Sequence, residues 1–314
     1  MIASNNGNFK SSRVRITEPY PLTRTLFVKK RDEGQTLISY LTERFPYLHP
    51  GEWEKRINKN QVWLDDGETH PEHVLKANQL IFHHAEAVKE PAVPDDVRVI
   101  HEEENWLMVY KPAPMPMHQG GRYFKNTLSY IVKGIGYQGV STVHRLDAVT
   151  SGLVLFAKNR ETANQIQQAF SENRVNKWYY ALVKGSAGPL LTVNAPIRRK
   201  KGFIFECGYQ LAGAKPAVTV IERVWSKDGL SLVKCTPVTG RTHQIRLHLR
   251  EAGLPVIDDP IYGPEGDTSG KILQNRSICL QSSGIAIDDL SIHGEIEAPG
   301  EWCEMELLEV ISRS

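Results

Sequence analysis

Apolar side chains recur along this chain with two periods, which predict where helices and strands lie. Spacing of three or four residues predicts a helix at Glu161–Asn173, where Ala163, Ile166 and Phe170 share one face. The uninterrupted apolar run Leu153–Ala157 is instead typical of a strand that is buried on both faces. Similar patterns predict a helix at Thr242–Glu251 and strands at Leu107–Tyr110, Tyr179–Val183, Ala217–Trp225 and Leu230–Cys235.

The order of these elements indicates the fold class. Helices and strands do not alternate regularly, and the strands Ala217–Trp225 and Leu230–Cys235 are joined by the tight turn Lys227-Asp228-Gly229. Regular alternation would indicate a doubly wound parallel sheet. We therefore expect an α+β fold with a mixed, largely antiparallel sheet and a central cleft, preceded by a small α+β domain.

A shorter pattern near the N-terminus predicts that small domain. Apolar residues between 37 and 45 have helical spacing that Pro46 ends, and a second short helix is predicted at Glu52–Asn58. Short strands follow at Val62–Leu64 and Leu80–Phe82. The predicted organisation is a basic arm at residues 1–33, the small domain at 34–85, a proline-containing acidic linker at 86–96 and a larger domain at 97–314.

Composition excludes several classes of protein. The chain has 314 residues, 40% hydrophobic and 24% charged, which fits a globular protein of about two domains rather than a collagen, a coiled coil or a disordered chain. No apolar run approaches the roughly 18 residues of a membrane helix, so a soluble, cytoplasmic protein is expected. The 4 cysteines lie far apart without a Cys-x-x-Cys pair, which disfavours a disulfide framework or a zinc site.

One polar segment places an aspartate directly before a buried strand. Asp147 lies on a polar turn that leads into Leu153–Ala157, so its side chain is well placed to project into a cleft. The hydroxyls of Thr150 and Ser151, with nearby backbone amides, are placed to hold the carboxylate ionised. An isolated aspartate at such a position more often caps the turn, and that interpretation stays open here.

A second segment, Thr239–Arg250, is basic. A helix from about Thr242 puts His243, Arg246 and Arg250 on one face. Arg246 is then able to pair with a carboxylate through parallel hydrogen bonds and hold it charged. A solvated basic face explains the same spacing equally well.

The glycines of Gly134–Gly139 fit the G-x-G-x-x-G pattern of dinucleotide-binding loops. That function requires a strand before the glycines and a helix after them, whereas a helical pattern precedes this segment and the extended Val140–Val143 follows it. An ordinary turn is predicted, and a nicotinamide enzyme is the least favoured alternative. The histidine pairs His70/His73 and His83-His84 lack partner thiols, which disfavours a metal site.

Taken together, these segments resemble the RluA family of RNA pseudouridine synthases. Three positions depart from the family's usual pattern, with Ala148 in place of arginine and Pro114 and Asp258 in place of glycine. The resemblance extends over about residues 97–263 as ordered motifs at Lys111–Gly120, His144–Leu153, Lys177–Val183 and Thr239–Gly263.

The resemblance implies that uridine within RNA is isomerised to pseudouridine without a cofactor or a metal. It implies Asp147 as the catalytic carboxylate, Arg246 as its ion-pair partner, and Tyr179 as the residue that stacks on the uracil and serves as a base. Whether the carboxylate attacks the sugar or the ring stays open. Arg145 is implied to enter the space that the flipped base vacates. The other substrate-binding residues expected are His118, His144, Thr150, Lys177, Arg241, His243 and Leu247, the last lining the uracil pocket.

The expected partner is ribosomal or transfer RNA, bound by a monomer that needs no protein partner. The net charge of the whole chain is only +2, but this is an average over regions of opposite charge. Residues 111–250 carry 21 basic and 6 acidic residues, a net charge of +15, which suits RNA binding. The basic residues include Arg198-Arg199-Lys200-Lys201. The small domain resembles an alpha-L type RNA-binding module of a ribosomal small-subunit protein, but residues 33–90 carry 6 basic and 10 acidic residues, a net charge of −4, so a packing role stays open. A non-catalytic RNA-binding or ribosome-assembly factor on the same fold is the main alternative.

Overall fold

A computed structural model describes residues 13–302 of the chain, except residues 47, 66, 68 and 267–276. These residues fall into two compact units. The small unit is Thr17–Glu90, and the large unit combines the residues before Thr17 with those from Pro91 onwards. The helices are α1 (Leu37–Arg44), α2 (Pro50–Asn58), α3 (Leu128–Gly134), α4 (Arg160–Ser171) and α5 (Gln244–Glu251).

The strands of the described residues complete this list. They are β1 (Val14–Arg15), β2 (Tyr20–Phe27), β3 (Val62–Leu64), β4 (Leu80–Val88), β5 (Val93–Pro94), β6 (Arg98–Glu102), β7 (Trp106–Lys111), β8 (Ser141–Thr142), β9 (Ser151–Ala157), β10 (Asn176–Lys184), β11 (Leu190–Val193), β12 (Ile197–Lys201), β13 (Ile204–Cys207), β14 (Thr219–Lys227), β15 (Leu230–Pro237), β16 (Leu280–Ile287) and β17 (Ile292–Glu295).

The small unit packs α1 and α2 against a three-stranded sheet in the order β2, β4, β3. The hydroxyl of Thr36 accepts a hydrogen bond from the backbone amide of Ser39 and so caps the N-terminus of α1. The apolar face of this helix buries Leu37 and Leu41 together with Trp53 of α2. The predicted helices and short strands of this region are therefore present.

The structure draws the boundaries of the small unit differently from the sequence-based prediction. Residues 17–33 were expected to belong to an arm, yet β2 pairs with β4 along its length and belongs to the sheet. The strand forms because its residues alternate between more and less exposed positions, with Leu26 packed against the core. At the other end, β4 continues to Val88, inside the predicted linker.

The large unit contains a 10-stranded mixed sheet with the order β11, β14, β15, β10, β16, β9, β7, β6, while β17 pairs with β16 and β8 with β9. Its neighbouring strands are antiparallel except β16 and β9, which are parallel. This confirms the predicted α+β class with a mixed, largely antiparallel sheet.

Helices cover both faces of the sheet at β7 and β9. Leu107 of β7 and Val154 of β9 belong to a core cluster with α3, whereas the next residue of each strand belongs to a second cluster with Ile166 of α4. Both strands are therefore apolar at successive positions, as the run Leu153–Ala157 predicted. No helix of the described residues is long and apolar enough to span a membrane.

Candidate active site

A cleft of about 360 Å³ opens on the large unit beside α5 and brings Asp147, Tyr179 and Arg246 together in its wall. The order of the strands in the sheet explains why Asp147 and Tyr179 lie close together. Asp147 precedes β9 by a short turn, Tyr179 lies on β10, and β16 lies between these two strands. Ser282 of β16 is opposite Tyr179 on one side and Gly152 on the other.

A buried arginine holds the carboxylate of Asp147. One terminal nitrogen of Arg246 donates to Asp147 Oδ2 at 3.0 Å. Its Nε and its other terminal nitrogen donate to Asp259 at 2.6 and 2.8 Å, in a two-point pair. The side chain of Arg246 is 3% exposed and that of Asp147 is 22% exposed. The guanidinium of Arg246 is therefore held inside the protein. Asp147, the candidate catalytic residue, contacts it from the more exposed side, towards the cleft.

Asp259 is the functional residue that the sequence analysis missed. Its side chain is fully buried, and Oδ1 also accepts the amides of Ile261 and Tyr262 at 2.9 and 3.0 Å. Burial opposes ionisation of this carboxyl, but the hydrogen bonds and charge of Arg246 lower its pKa below the usual value. The same pairing outweighs burial at Arg246 and raises the pKa of that guanidinium.

His243 faces the same carboxylate from a strained backbone position. It precedes α5 with φ of 58°, in the left-handed region, and its Nε2 lies 3.7 Å from Asp147 Oδ2. Burial lowers its pKa to about 4, so the ring is neutral at pH 7. Its Nδ1 lies 2.9 Å from the hydroxyl of Tyr262, whose oxygen accepts the amide of Phe205. Tyr262 thus links His243 to the backbone at Phe205 and helps to fix the orientation of the ring.

Tyr179 completes the predicted catalytic set. Burial raises its pKa to about 12, and the charge of Asp147 acts in the same direction. The phenol is therefore protonated at neutral pH, which favours stacking and hydrogen bonding over a role as a ready-made base.

A buried lysine supports the turn that carries Asp147. Lys111 is fully buried, and its ammonium donates to the carbonyls of Pro112, Met115 and Ala148 at 3.3, 2.9 and 3.2 Å. Burial lowers its pKa to about 7, against the opposing charge of Asp147. The first sequence motif thus fixes the residue that directly follows Asp147.

Several predicted substrate-binding residues do line the cleft. Arg145 and Arg241 are exposed, as a contact with a large ligand requires. Half-buried His144 also lines the cleft, but its Nε2 accepts the amide of Leu155 at 2.9 Å, which fastens the turn to β9. Lys177, Thr150 and His243 complete this group.

The expected support of Asp147 by neighbouring hydroxyls is replaced by other contacts. Arg246 is the group that hydrogen-bonds the carboxylate. Thr150 instead donates its backbone amide to the carbonyl of Asp147 at 3.1 Å and so closes the turn. The motif thus shapes the backbone around Asp147, and Arg246 of α5 balances the charge of the carboxylate.

The structure places two predicted residues outside the lining of this cleft. Leu247 packs in a core cluster with Ile204 and Tyr262, because a step of one residue along α5 turns the side chain away from the cleft that Arg246 faces. Leu280 of β16 lines the cleft instead. His118 lines a second cavity, of about 670 Å³, beside Thr142.

Comparison with known proteins agrees with this geometry. Residues 105–251 match the family described as RNA pseudouridylate synthase, a stretch that holds Asp147, Tyr179 and Arg246. Ribosomal large subunit pseudouridine synthase C of Rickettsia felis is 31% identical over 250 residues, which cover 72% of this chain and 81% of that protein. The chain belongs to the RNA pseudouridylate synthase family.

Other pseudouridylate synthases match over much of the chain. RNA pseudouridine synthase 7 of Oryza sativa is 31% identical over 262 residues, 81% of this chain and 66% of the relative. The mitochondrial tRNA pseudouridine(32) synthase of Saccharomyces cerevisiae is 31% identical over 266 residues, 82% of this chain and 57% of the relative. This chain thus spans less than two thirds of either relative's length.

A solved member of the family has the same fold. The structure of human RNA Pseudouridylate Synthase Domain Containing 1 aligns with a TM-score of 0.56 at 26% identity, and covers 67% of this chain and 86% of that one.

Proposed function

We propose that this protein isomerises uridine to pseudouridine in structured ribosomal or transfer RNA. The observation that carries the proposal is the carboxylate of Asp147, held by the buried Arg246 in a cleft that also contains Tyr179. The names of the relatives support the substrate class, since one modifies transfer RNA and another the large ribosomal subunit.

The reaction explains why these residue types meet. The bond between uracil N1 and the sugar breaks, the ring turns, and a bond between C5 and the sugar forms, while C5 loses its proton and N1 gains one. A carboxylate serves as the nucleophile that holds one of the two parts during this exchange. Arg246 and His243 both face Oδ2 of Asp147, so we assign the attack to Oδ1. A stacked aromatic ring keeps the detached base in place, which is the role of Tyr179.

The substrate enters by leaving its own helix. A uridine stacked in a duplex cannot reach the carboxylate, so it is flipped out at a cost of a few kcal/mol. Arg145 is two residues from Asp147 and is exposed at the cleft. Its planar guanidinium both stacks and donates hydrogen bonds, which suits the space that the base vacates.

The proposal extends to the rest of the molecule. The small unit contacts RNA through a local basic patch formed by Lys55 and Arg56 of α2 and Lys59 directly after it, although the domain as a whole is acidic. The protein acts as a cytoplasmic monomer and needs no protein partner, cofactor or metal for the isomerisation.

Replacement of Asp147 by asparagine tests the proposal. We expect Asp147→Asn to lose pseudouridine formation by several orders of magnitude, because the amide is not a nucleophile, while RNA binding remains largely intact. The measurement is site-resolved mapping of pseudouridine in RNA treated with the pure protein, beside an electrophoretic binding assay.

Asp228→Asn is the matched control. Asp228 lies in the turn between β14 and β15 with φ of 49°, a conformation that asparagine also tolerates, and this variant keeps full activity. Continued pseudouridine formation by Asp147→Asn would show that the nucleophile is misassigned. If cells that lack the protein keep every pseudouridine, the protein is a non-catalytic RNA-binding factor.

A further inference from the structure

Lys177 places a positive charge in the cleft, where no carboxylate of the described residues pairs with it. It lies on β10 two residues before Tyr179, and both residues line the cleft. Its ammonium is 5.6 Å from the ring centre of Phe170. Burial lowers the pKa of this lysine, and no carboxylate among the described residues offsets that effect.

Two buried cations beside the cleft, unlike the half-buried Lys177, are compensated. Arg246 is hydrogen-bonded to Asp147 and Asp259. Lys111 donates to the carbonyls of three residues. Partial burial of a cation without such partners carries a desolvation cost, so the position of Lys177 is understandable when a ligand brings the missing negative charge.

The turn opposite Lys177 leaves room for such a ligand. A Cβ atom added at Gly240 would lie 3.5 Å from the Lys177 ammonium, so the glycine keeps this side of the ammonium clear of side-chain atoms. Arg241, the next residue, is exposed and also lines the cleft. The side chains of Lys177 and Arg241 and the backbone of Gly240 therefore line the same cleft.

We propose that Lys177, Gly240 and Arg241 form a phosphate subsite, which binds a backbone phosphate next to the flipped uridine. The proposal rests on the proposed function, because an RNA substrate supplies the phosphate. Uracil is neutral and cannot balance an ammonium, whereas each flipped nucleotide carries a phosphate on both sides. The subsite fixes how far the nucleotide enters, and so aligns its sugar with Asp147.

The first test does not depend on catalysis. Uridine, uridine 3′-monophosphate and uridine 5′-monophosphate are titrated against the full-length protein by calorimetry. We expect the wild-type protein to bind one monophosphate about tenfold more tightly than uridine, since a hydrogen bond to a charged group contributes about this much. Lys177→Met, which keeps the length of the side chain but not its charge, loses this preference.

Two variants serve as controls. Lys177→Arg retains the charge and keeps the preference. Lys184→Met removes an exposed cation at the opposite end of β10, and also keeps it. A Lys177→Met protein that still prefers the monophosphate would overturn the subsite.

The second test uses the RNA that the mapping experiment identifies. Lys177→Met raises KM about tenfold with a smaller change in kcat, because the contact exists before and during the reaction. A loss in kcat alone would contradict a binding role. A wild-type protein that prefers the monophosphate but forms no pseudouridine would support the subsite and overturn the proposed function.

Discussion

Asp259 lies 13 residues beyond Arg246 in the chain and accepts hydrogen bonds from two of its guanidinium nitrogens. The third guanidinium nitrogen donates to Asp147. The direction of this hydrogen bond therefore depends on how firmly Asp259 holds the rest of the guanidinium. We therefore expect Asp259 to be a positioning residue, whose effect on the reaction passes through Arg246.

Asp259→Asn removes the charge but retains an oxygen for the amides of Ile261 and Tyr262. We expect a loss of about 3 kcal/mol in the free energy of unfolding, because Arg246 is left buried with one carboxylate partner. Single-turnover rates fall as well. Denaturant titration and rapid-mixing assays measure the two effects. Asp258→Asn is the neighbouring control, and equal stability of both variants would refute the role of Asp259.

The residues of the site differ in how far the sequence could predict them. The pairing of Asp147 with Arg246 was predicted because both lie in dense motifs, and the structure confirms that they meet. Asp259 lies in the last motif too, but next to Asp258 and Pro260, a combination typical of an exposed turn, and its burial depends on its pairing with Arg246. Leu247 was predicted to line the pocket but packs in the core, because neighbouring residues of a helix point in different directions.

At the scale of the elements, the junction of β9 and β16 constrains the active site most tightly. Gly152 has φ of 113°, and a Cβ atom there would lie 2.1 Å from the backbone oxygen of Ser282. Since backbone cannot move aside as a side chain can, only glycine fits this crossing.

We therefore expect Gly152→Ala to destabilise the protein by at least about 2 kcal/mol, through backbone strain and overlap with β16. Thermal unfolding in the absence of RNA measures this. Gly139→Ala is the control, since nothing lies within 4 Å of the added Cβ and its φ needs no glycine. A stable Gly152→Ala protein would mean that the two strands separate easily.

Elements with a single strong period were predicted, and those with a mixed signal were not. The helix α1 was predicted from its apolar spacing, and β9 from its apolar run. The strand β2 was missed because its alternation includes Arg24, and the many basic residues around it indicated a solvated arm. Its position became clear only through pairing with β4, some 60 residues later, which local patterns do not report.

For the whole molecule, charge is distributed so that residues 111–250 are strongly basic while the chain is nearly neutral. Residues 111–250 have a net charge of +15, in a chain of net charge +2. Each phosphate that these cations neutralise releases counterions, so the binding constant falls as salt rises.

With six or more phosphate contacts, RNA affinity is expected to fall by about 10³-fold between 50 and 200 mM salt. Fluorescence anisotropy with a labelled RNA measures the slope. Neutral uridine, titrated under the same conditions, is the control and responds little. A shallow slope for RNA would show that the basic stretch does not lie against the backbone.

The central place of β16 has a consequence for the order of synthesis. Ser151 of β9 pairs with Gln281 of β16, which the ribosome adds 130 residues later. At roughly 5–20 residues per second, β9 and β10 wait on the order of ten seconds for the strand that joins them. During that interval both strands present open edges on the side that β16 later covers. We therefore expect the cleft to be completed only after β16 has emerged.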